Sequence, residues 1–452
     1  MVGKISKSVL TAIANAIRAQ NCGTETYLPS EMAAAVLALD GTGTGTPLQE
    51  AAEEGTGIIS SGVFDAIADA IRVQTGGTET YTPPEMAAAI LALCWQAEPK
   101  VYVLLLEGGM LEACYRAETT SELGNVLQSW EAPGEISALG DVPWRYSLSG
   151  VQHVYLDESL ASSPLACTRY WFHSSDIVEI HGFENLAGVT DMRQMCDGCS
   201  ELETIWSDGF IPAEGLDASA FSLCHRLVGG SGYVCGSFDD EGNLNTGEEG
   251  ILTDPDADGR TWVYGHLYAD GELVVTASSA PEAGRQLLAS GRLCAQAAYR
   301  SASAMPWDGY EDDVLLVTIA SDVAALEIVS LTWWFYGCSS LASVQGMGNL
   351  GSVTSMDYCF SGCASLETLD LTGFDPGALV DLSHTFNGCS ALETILVDAD
   401  WALAEGAGGM GTFYGCTSLV GGAGTVWSED ADGASMMRVD AMGTPGYLTA
   451  AP

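Results

Sequence analysis

Basic residues are scarce. Fifteen lysines and arginines stand against 60 aspartates and glutamates in 452 residues, a formal charge of −45. Recognition of nucleic acid through its phosphates needs clustered Lys and Arg, so that class of partner is excluded. Attraction to an anionic membrane surface is disfavoured by the same sign argument. Long apolar runs are missing too: nothing approaches the roughly 20 apolar residues that span a bilayer. The opening MVGKISKSVLTAIANAIRAQ mixes polar and apolar residues at helical spacing, where an export signal needs an unbroken apolar stretch. The expectation is a chain made in the cytosol, without membrane insertion, whose 14 cysteines stay as thiols. Catalytic signatures are also lacking, with no G-x-S-x-G, no H-E-x-x-H and no G-x-x-x-x-G-K-[ST]. The six histidines (His153, His173, His181, His225, His266 and His384) show no metal-ligand spacing along the chain. A protein that is not an enzyme and needs no cofactor is the reading that remains.

What is present is material for a folded, turn-rich chain: 47% hydrophobic residues, 53 glycines and only 17% charged residues. The length exceeds one comfortable core, so several domains are expected. Internal repeats decide which. Ile5 to Leu39 recurs without gaps as Ile59 to Leu93, with 24 of 35 positions identical. Each copy reads as a helix, a glycine turn and a second helix. In the second copy Val63, Ile67 and Ile71 share a helical face. Thr82-Pro83-Pro84-Glu85 then resembles a capping box that opens the next helix. Such a hairpin cannot bury its apolar stripe alone and must pack on a twin, a neighbour or another subunit. Asp40 to Gly57 between the copies has linker composition.

A second duplication begins near residue 101. VYVLLLEGGMLEA (101–113) resembles VYGHLYADGELVV (263–275), each a strand, an acidic glycine turn and a strand. Pro143-Trp144 recurs as Pro306-Trp307. GVTDMRQMCDGCSELETI (188–205) matches SVTSMDYCFSGCASLETL (352–369) at an offset of 164, and FSLCHRLVGG (221–230) matches FYGCTSLVGG (413–422) at an offset of 192. The first copy therefore lacks one unit of about 28 residues that the second keeps, 192 less 164. That unit is visible at Phe335, Phe360, Phe386 and Phe413 as FYGCSSL, FSGCASL, FNGCSAL and FYGCTSL, spaced by 25, 26 and 27. Leu366, Leu369, Leu371 and Phe374 follow the L-x-x-L-x-L pattern of a leucine-rich turn, whose period is about 20–29 residues.

The stretches VTSMDYCFSGCASLETLDLTGFDP and VDLSHTFNGCSALETI resemble the BspA-type leucine-rich repeat, over roughly residues 150–230 and 315–450. AIADAIRVQTGGTETYTPPEMAAAI is similar to short helical units of phage tail and fibre proteins. The resemblance implies an α+β repeat protein of two tandem BspA-like leucine-rich solenoid domains preceded by duplicated helical hairpins. The expected boundaries are 1–40 and 59–100 for the hairpins, 41–58 for the linker, and 101–262 and 263–452 for a β-hairpin plus solenoid each. The function it implies is a non-enzymatic structural protein of a phage tail, assembled in the host cytoplasm and carried on the virion. Residues 1–95 would dock to other tail or baseplate proteins or form a homo-oligomer, three-fold by analogy with fibres. The solenoids would present a surface to a host protein or glycan. A bacterial BspA-like adhesin at the cell surface is the alternative, and a tail-associated glycan-degrading enzyme a second one.

Three local features invite a site. Cys196-x-x-Cys199 has half a zinc motif, but Cys199 occupies the G-C slot shared by Cys338, Cys363, Cys389 and Cys416, so a packed thiol is expected. Asp254, Asp256 and Asp258 open a calcium loop with alternate oxygens and Gly259 at the turn, yet position twelve is Gly265 and the closing Glu is missing. Calcium is the one cofactor this pattern admits, and a solvated acidic turn is the competing reading. Trp333 and Trp334 flank the buried Phe335 slot, so they are expected to face partly outward, either as a partner contact or as a cover for the solenoid's open end.

Overall fold

The computed structural model describes residues 99–452 apart from 214, 215, 217, 218, 236–243, 248, 249 and 352. The helical hairpins, the linker and the assembly role given to residues 1–95 lie outside the described residues. Residues 100–115 and 119–452 form one compact unit, built of short strands joined by turns and 3-10 segments.

The unit is the same architecture twice. In the first half β1 (Lys100–Leu106), β2 (Met110–Arg116) and β3 (Val126–Glu131) lie in the order β3-β1-β2, with β1 and β2 joined at Gly108 and Gly109 and β3 returning to the other side of β1. From β2 the sheet continues in parallel through β4 (His153–Leu156), β5 (Glu179–His181), β6 (Thr204–Trp206) and β7 (Leu252–Thr253). The second half repeats this with β8 (Trp262–Tyr268), β9 (Glu272–Thr276) and β10 (Leu287–Cys294), in the order β10-β8-β9. Parallel strands β11 (Leu316–Ile319) and β12 (Ser343–Gln345) follow on β9. A further sheet holds β13 (Thr368–Asp370), β14 (Thr394–Val397) and β15 (Leu448–Ala450). Each β-hairpin expected from the sequence therefore carries a third antiparallel strand. Counted from β2, the first half has five parallel strands among the described residues; counted from β9, the second has six. The extra strand is the repeat unit missing from the first copy.

The small repeat is a rung. Phe335, Phe360, Phe386 and Phe413 are fully buried and stacked, with centroids 5.4, 5.8 and 5.5 Å apart in turn. In the last three of these units the cysteine donates from Sγ to the phenylalanine carbonyl one turn earlier: Cys363 to Phe335 at 3.2 Å, Cys389 to Phe360 at 3.1 Å and Cys416 to Phe386 at 3.0 Å. Burial pushes the Cys363 and Cys389 thiols well above their ordinary range and Cys416 to about 12, so they remain protonated donors. The glycine is required because its backbone is left-handed, with φ +84° at Gly362, where a Cβ would also lie 3.4 Å from the Cα of Gly337. Leu366, Leu369, Leu371 and Phe374 are buried as the leucine pattern predicts.

Among the described residues two large hydrophobic cores result, one around Trp144, Phe172, Phe183 and Ile205, the other around Trp307, Phe335, Phe360, Ile395 and Val397, with a small third cluster at Leu104, Leu106 and Cys114. Val228 and Val234, which follow β6, pack in the second core, so the halves share a seam. Arginines tie it together. Arg260 donates to the Val228 carbonyl at 2.7 Å and the Thr204 hydroxyl at 3.1 Å, and Arg292 on β10 reaches Glu203 at 2.6 Å and Glu179 at 3.1 Å. Among the described residues no helix is long and apolar enough to cross a membrane.

Candidate functional site

The outer face of the first parallel sheet gathers the chemistry. Along β4, β5 and β6, Val154, Ile180 and Ile205 point into the core, which turns their neighbours to the other side. Register places His153 opposite Glu179, and Tyr155 opposite His181. Glu179 Oε2 lies 3.5 Å from His153 Nδ1 and 3.3 Å from His181 Nε2, while its Oε1 accepts from Arg292 Nη2 at 3.1 Å. The carboxyl is drawn down to about 2, first by the His181 contact, against the opposing effect of burial, and further by Arg292 and the two imidazoles. Tyr155 stacks on His181 at 4.7 Å and 9°, and His181 stacks on Trp206 at 6.1 Å and 17°. The row continues into the seam, where Arg260 lies over both Trp206 and Trp262.

Local spacing, in which the histidines show no metal-ligand pattern, does not reveal this cluster. His153, Glu179 and His181 are the one group of three donors that converges among the described residues. A signal was available: 26 residues separate His153 from Glu179 and Tyr155 from His181, which is one solenoid turn.

Beside this row, where the chain leaves β5, β6 and β7, a cleft of about 390 Å³ is lined by His181, Gly182, Glu184, Trp206, Ser207, Asp208 and Pro255. Trp206 Nε1 and Ser207 Oγ are buried there without a hydrogen-bond partner. The second half has a counterpart of about 300 Å³ where the chain leaves β13 and β14, lined by Phe374, Asp375, Asp398, Asp400 and Trp401 among others. Both clefts sit at the same edge of a parallel sheet, and each combines a tryptophan with carboxylates.

The other sequence candidates fare differently. Trp334 is buried at 1% exposure, so the expectation that it faces partly outward, as a partner contact or as a cover, is corrected to a core residue. The reason is backbone: Trp333 adopts φ +68°, and this left-handed residue turns the chain so that Trp334 and Phe335 both point inward. The Trp334 carbonyl accepts the Trp307 indole at 2.9 Å, as the Trp171 carbonyl accepts that of Trp144 at 2.8 Å. Trp333 stays half-buried at the surface, stacked on Tyr358 at 4.1 Å, and Tyr358 on His384 at 4.7 Å. Asp258 is held by Arg260 through Nε at 2.8 Å and Nη2 at 3.1 Å; burial alone would raise its pKa, and these bonds bring it below the ordinary value. Asp254 Oδ1 accepts the Asp256 amide at 2.8 Å, so the described geometry is an acidic turn anchored by arginine. Cys196 takes the slot that phenylalanine fills elsewhere, and Cys199 Sγ donates to the Phe172 carbonyl at 2.9 Å, the same rung as in the second half.

Asp357, next to the Trp333–Tyr358–His384 stack, has a buried Oδ1 with no hydrogen-bond partner. Burial, then the charge of Asp381, raises its pKa to about 6. A raised pKa means that the fold binds the proton better than the unfolded chain does, so stability is fully present below about pH 4 and is lost as pH rises through 6. Asp357→Asn is expected to flatten that slope and add about 1 kcal/mol at pH 7, a value discounted for the residue's partial exposure. Urea unfolding midpoints at pH 4.5, 6 and 7.5 check it; parallel profiles for both proteins would refute the assignment.

No protein-family model matches the chain, and no curated protein matches it. Among solved structures it is similar to a leucine-rich repeat protein from Eubacterium ventriosum ATCC 27560, at 11% identity and a TM-score of 0.22 over 71% of this chain and 94% of that one. It is also similar to a leucine rich cell surface protein from Faecalibacterium prausnitzii A2-165, at 16% identity and a TM-score of 0.21 over 71% and 92%. Superposition this slight adds no weight of its own, and the repeat fold rests on the strand ladders and stacked rungs.

Proposed function

We propose that the chain is a non-enzymatic recognition protein that holds a surface glycan in its two strand-edge clefts. The observation that carries this reading is the repetition: both halves place a tryptophan and carboxylates in a small open cleft at the same edge of the parallel sheet. The first cleft has an apolar wall with a few polar groups, which suits a ring that is apolar on its face and hydroxylated at its rim; the second is the more polar of the two. Two such clefts in one chain raise avidity on a repetitive polymer without requiring a strong single site. The 45 surplus negative charges oppose non-specific adhesion to an anionic envelope, so contact depends on the specific ligand.

The carrier we favour is a bacterial cell surface, because the recognition surface lies in the repeats themselves, whereas the tail reading also depends on docking through residues 1–95; the surface reading requires an export route for the chain. Peptide mass spectrometry of washed envelopes and of purified virus-like particles separates the two; stoichiometric recovery with tail proteins would restore the particle reading. For the ligand, a glycan array probed with the full chain should show saturable binding that falls at least tenfold in Trp206→Ala, with circular dichroism unchanged. Release of reducing sugar from a bound polysaccharide would overturn the non-enzymatic reading in favour of the glycan-degrading one. Absence of any glycan binding would sink the ligand class.

A further inference from the structure

We infer that His153, Glu179 and His181 form a binding site for one divalent transition-metal ion, zinc in particular, on the outer face of the first sheet. Zinc bonds of about 2.0–2.2 Å in tetrahedral geometry separate donor atoms by about 3.3–3.5 Å. The observed separations from Glu179 Oε2 are 3.3 Å to His181 Nε2 and 3.5 Å to His153 Nδ1, and all three donors fall within 4.8 Å of one another. Both distances are longer than the 2.7–3.2 Å or so of a good N–H···O bond. His181 Nε2 is moreover buried without any hydrogen-bond partner. An ion among the three donors gives that buried nitrogen the partner it lacks.

The surroundings hold the donors as a metal site requires. Arg292 occupies the far oxygen of Glu179 and leaves Oε2 for the ion, the outer support that ligating carboxylates normally have. Tyr155 and Trp206 clamp the His181 ring between them. His153 is 40% exposed, so the fourth position opens to water. Two imidazoles and one carboxylate suit zinc and its first-row neighbours rather than calcium or magnesium, which prefer all-oxygen sites. The geometry comes from the solenoid itself: His153 and Glu179 are register partners on adjacent strands, and His181 follows Glu179 by two on the same face.

The test is calorimetric titration of the chelator-treated full chain with zinc chloride at pH 7.5. One saturable equivalent is expected, weakened at least tenfold by His153→Gln and by His181→Gln, and unaffected by His173→Gln. The His153 change lies at the surface, so a loss there with an unchanged unfolding midpoint is not a folding defect. Cobalt substitution distinguishes this site from the cysteines: visible d–d bands without a thiolate charge-transfer band support it. Thiolate bands, binding indifferent to both histidine variants, or no saturable binding at submillimolar zinc would each overturn it.

Discussion

Phe360→Ala should cost the second half about 3–5 kcal/mol, the typical result of deleting a fully buried aromatic ring. Phe360 has no exposed surface and lies between Phe335 and Phe386 at 5.4 and 5.8 Å. The cavity cannot close easily, because the turns above and below are pinned by backbone bonds, Phe335 N to Cys359 O at 3.0 Å and Phe360 N to Thr385 O at 2.9 Å. Turns of a solenoid touch only their neighbours, so a broken rung also uncouples what lies on either side. Urea unfolding should therefore show a lower midpoint and a shallower transition. Phe360→Leu, which refills most of the space, should lose no more than about half as much. Equal losses for Ala and Leu would mean that ring stacking rather than volume holds the rung.

Arg260→Ala is expected to destabilise by about 3–5 kcal/mol, because removing one member of a buried ionic network leaves the others without compensation. The Arg260 side chain is 1% exposed. Its guanidinium satisfies the Val228 carbonyl and the Thr204 hydroxyl, pairs with Asp258 and lies over Trp206 and Trp262 at 5.4 and 5.0 Å. Those partners come from both halves, so the damage concentrates at the seam. Calorimetry should resolve two transitions in the variant, one for each core, where the wild type shows coupled unfolding. Arg260→Met keeps the stem's packing between the indoles and leaves Asp258, 20% exposed, to water, so its loss should be smaller. A single unshifted transition in Arg260→Ala would show that the seam does not depend on this residue.

Much of this architecture was legible from the chain. The F-x-G-C rungs could be read because each turn contacts its neighbours at a near-constant separation, which makes a tertiary contact look like a sequence period. The missing repeat in the first half followed from two offsets, and it matches the sixth parallel strand that the second half has and the described residues of the first do not. Trp334 was misread because alternation was assumed where a left-handed Trp333 breaks it. The aspartates at 254, 256 and 258 resembled a calcium loop, but Arg260, two residues on, takes up Asp258, and what holds that arginine in place, Thr204 and Val228, lies far off in the chain.

The sequence by itself determined the solenoid, its two copies and the excess of negative charge, since these rest on periodic burial and on composition. Tertiary structure decided where the chemistry sits. His153, Glu179 and His181 meet only because parallel register sets them side by side, and Arg292 joins them from 113 residues away across the seam. Such contacts carry no local signature, because their partners are chosen by the stacking of turns and the packing of two cores rather than by neighbouring residues in the chain.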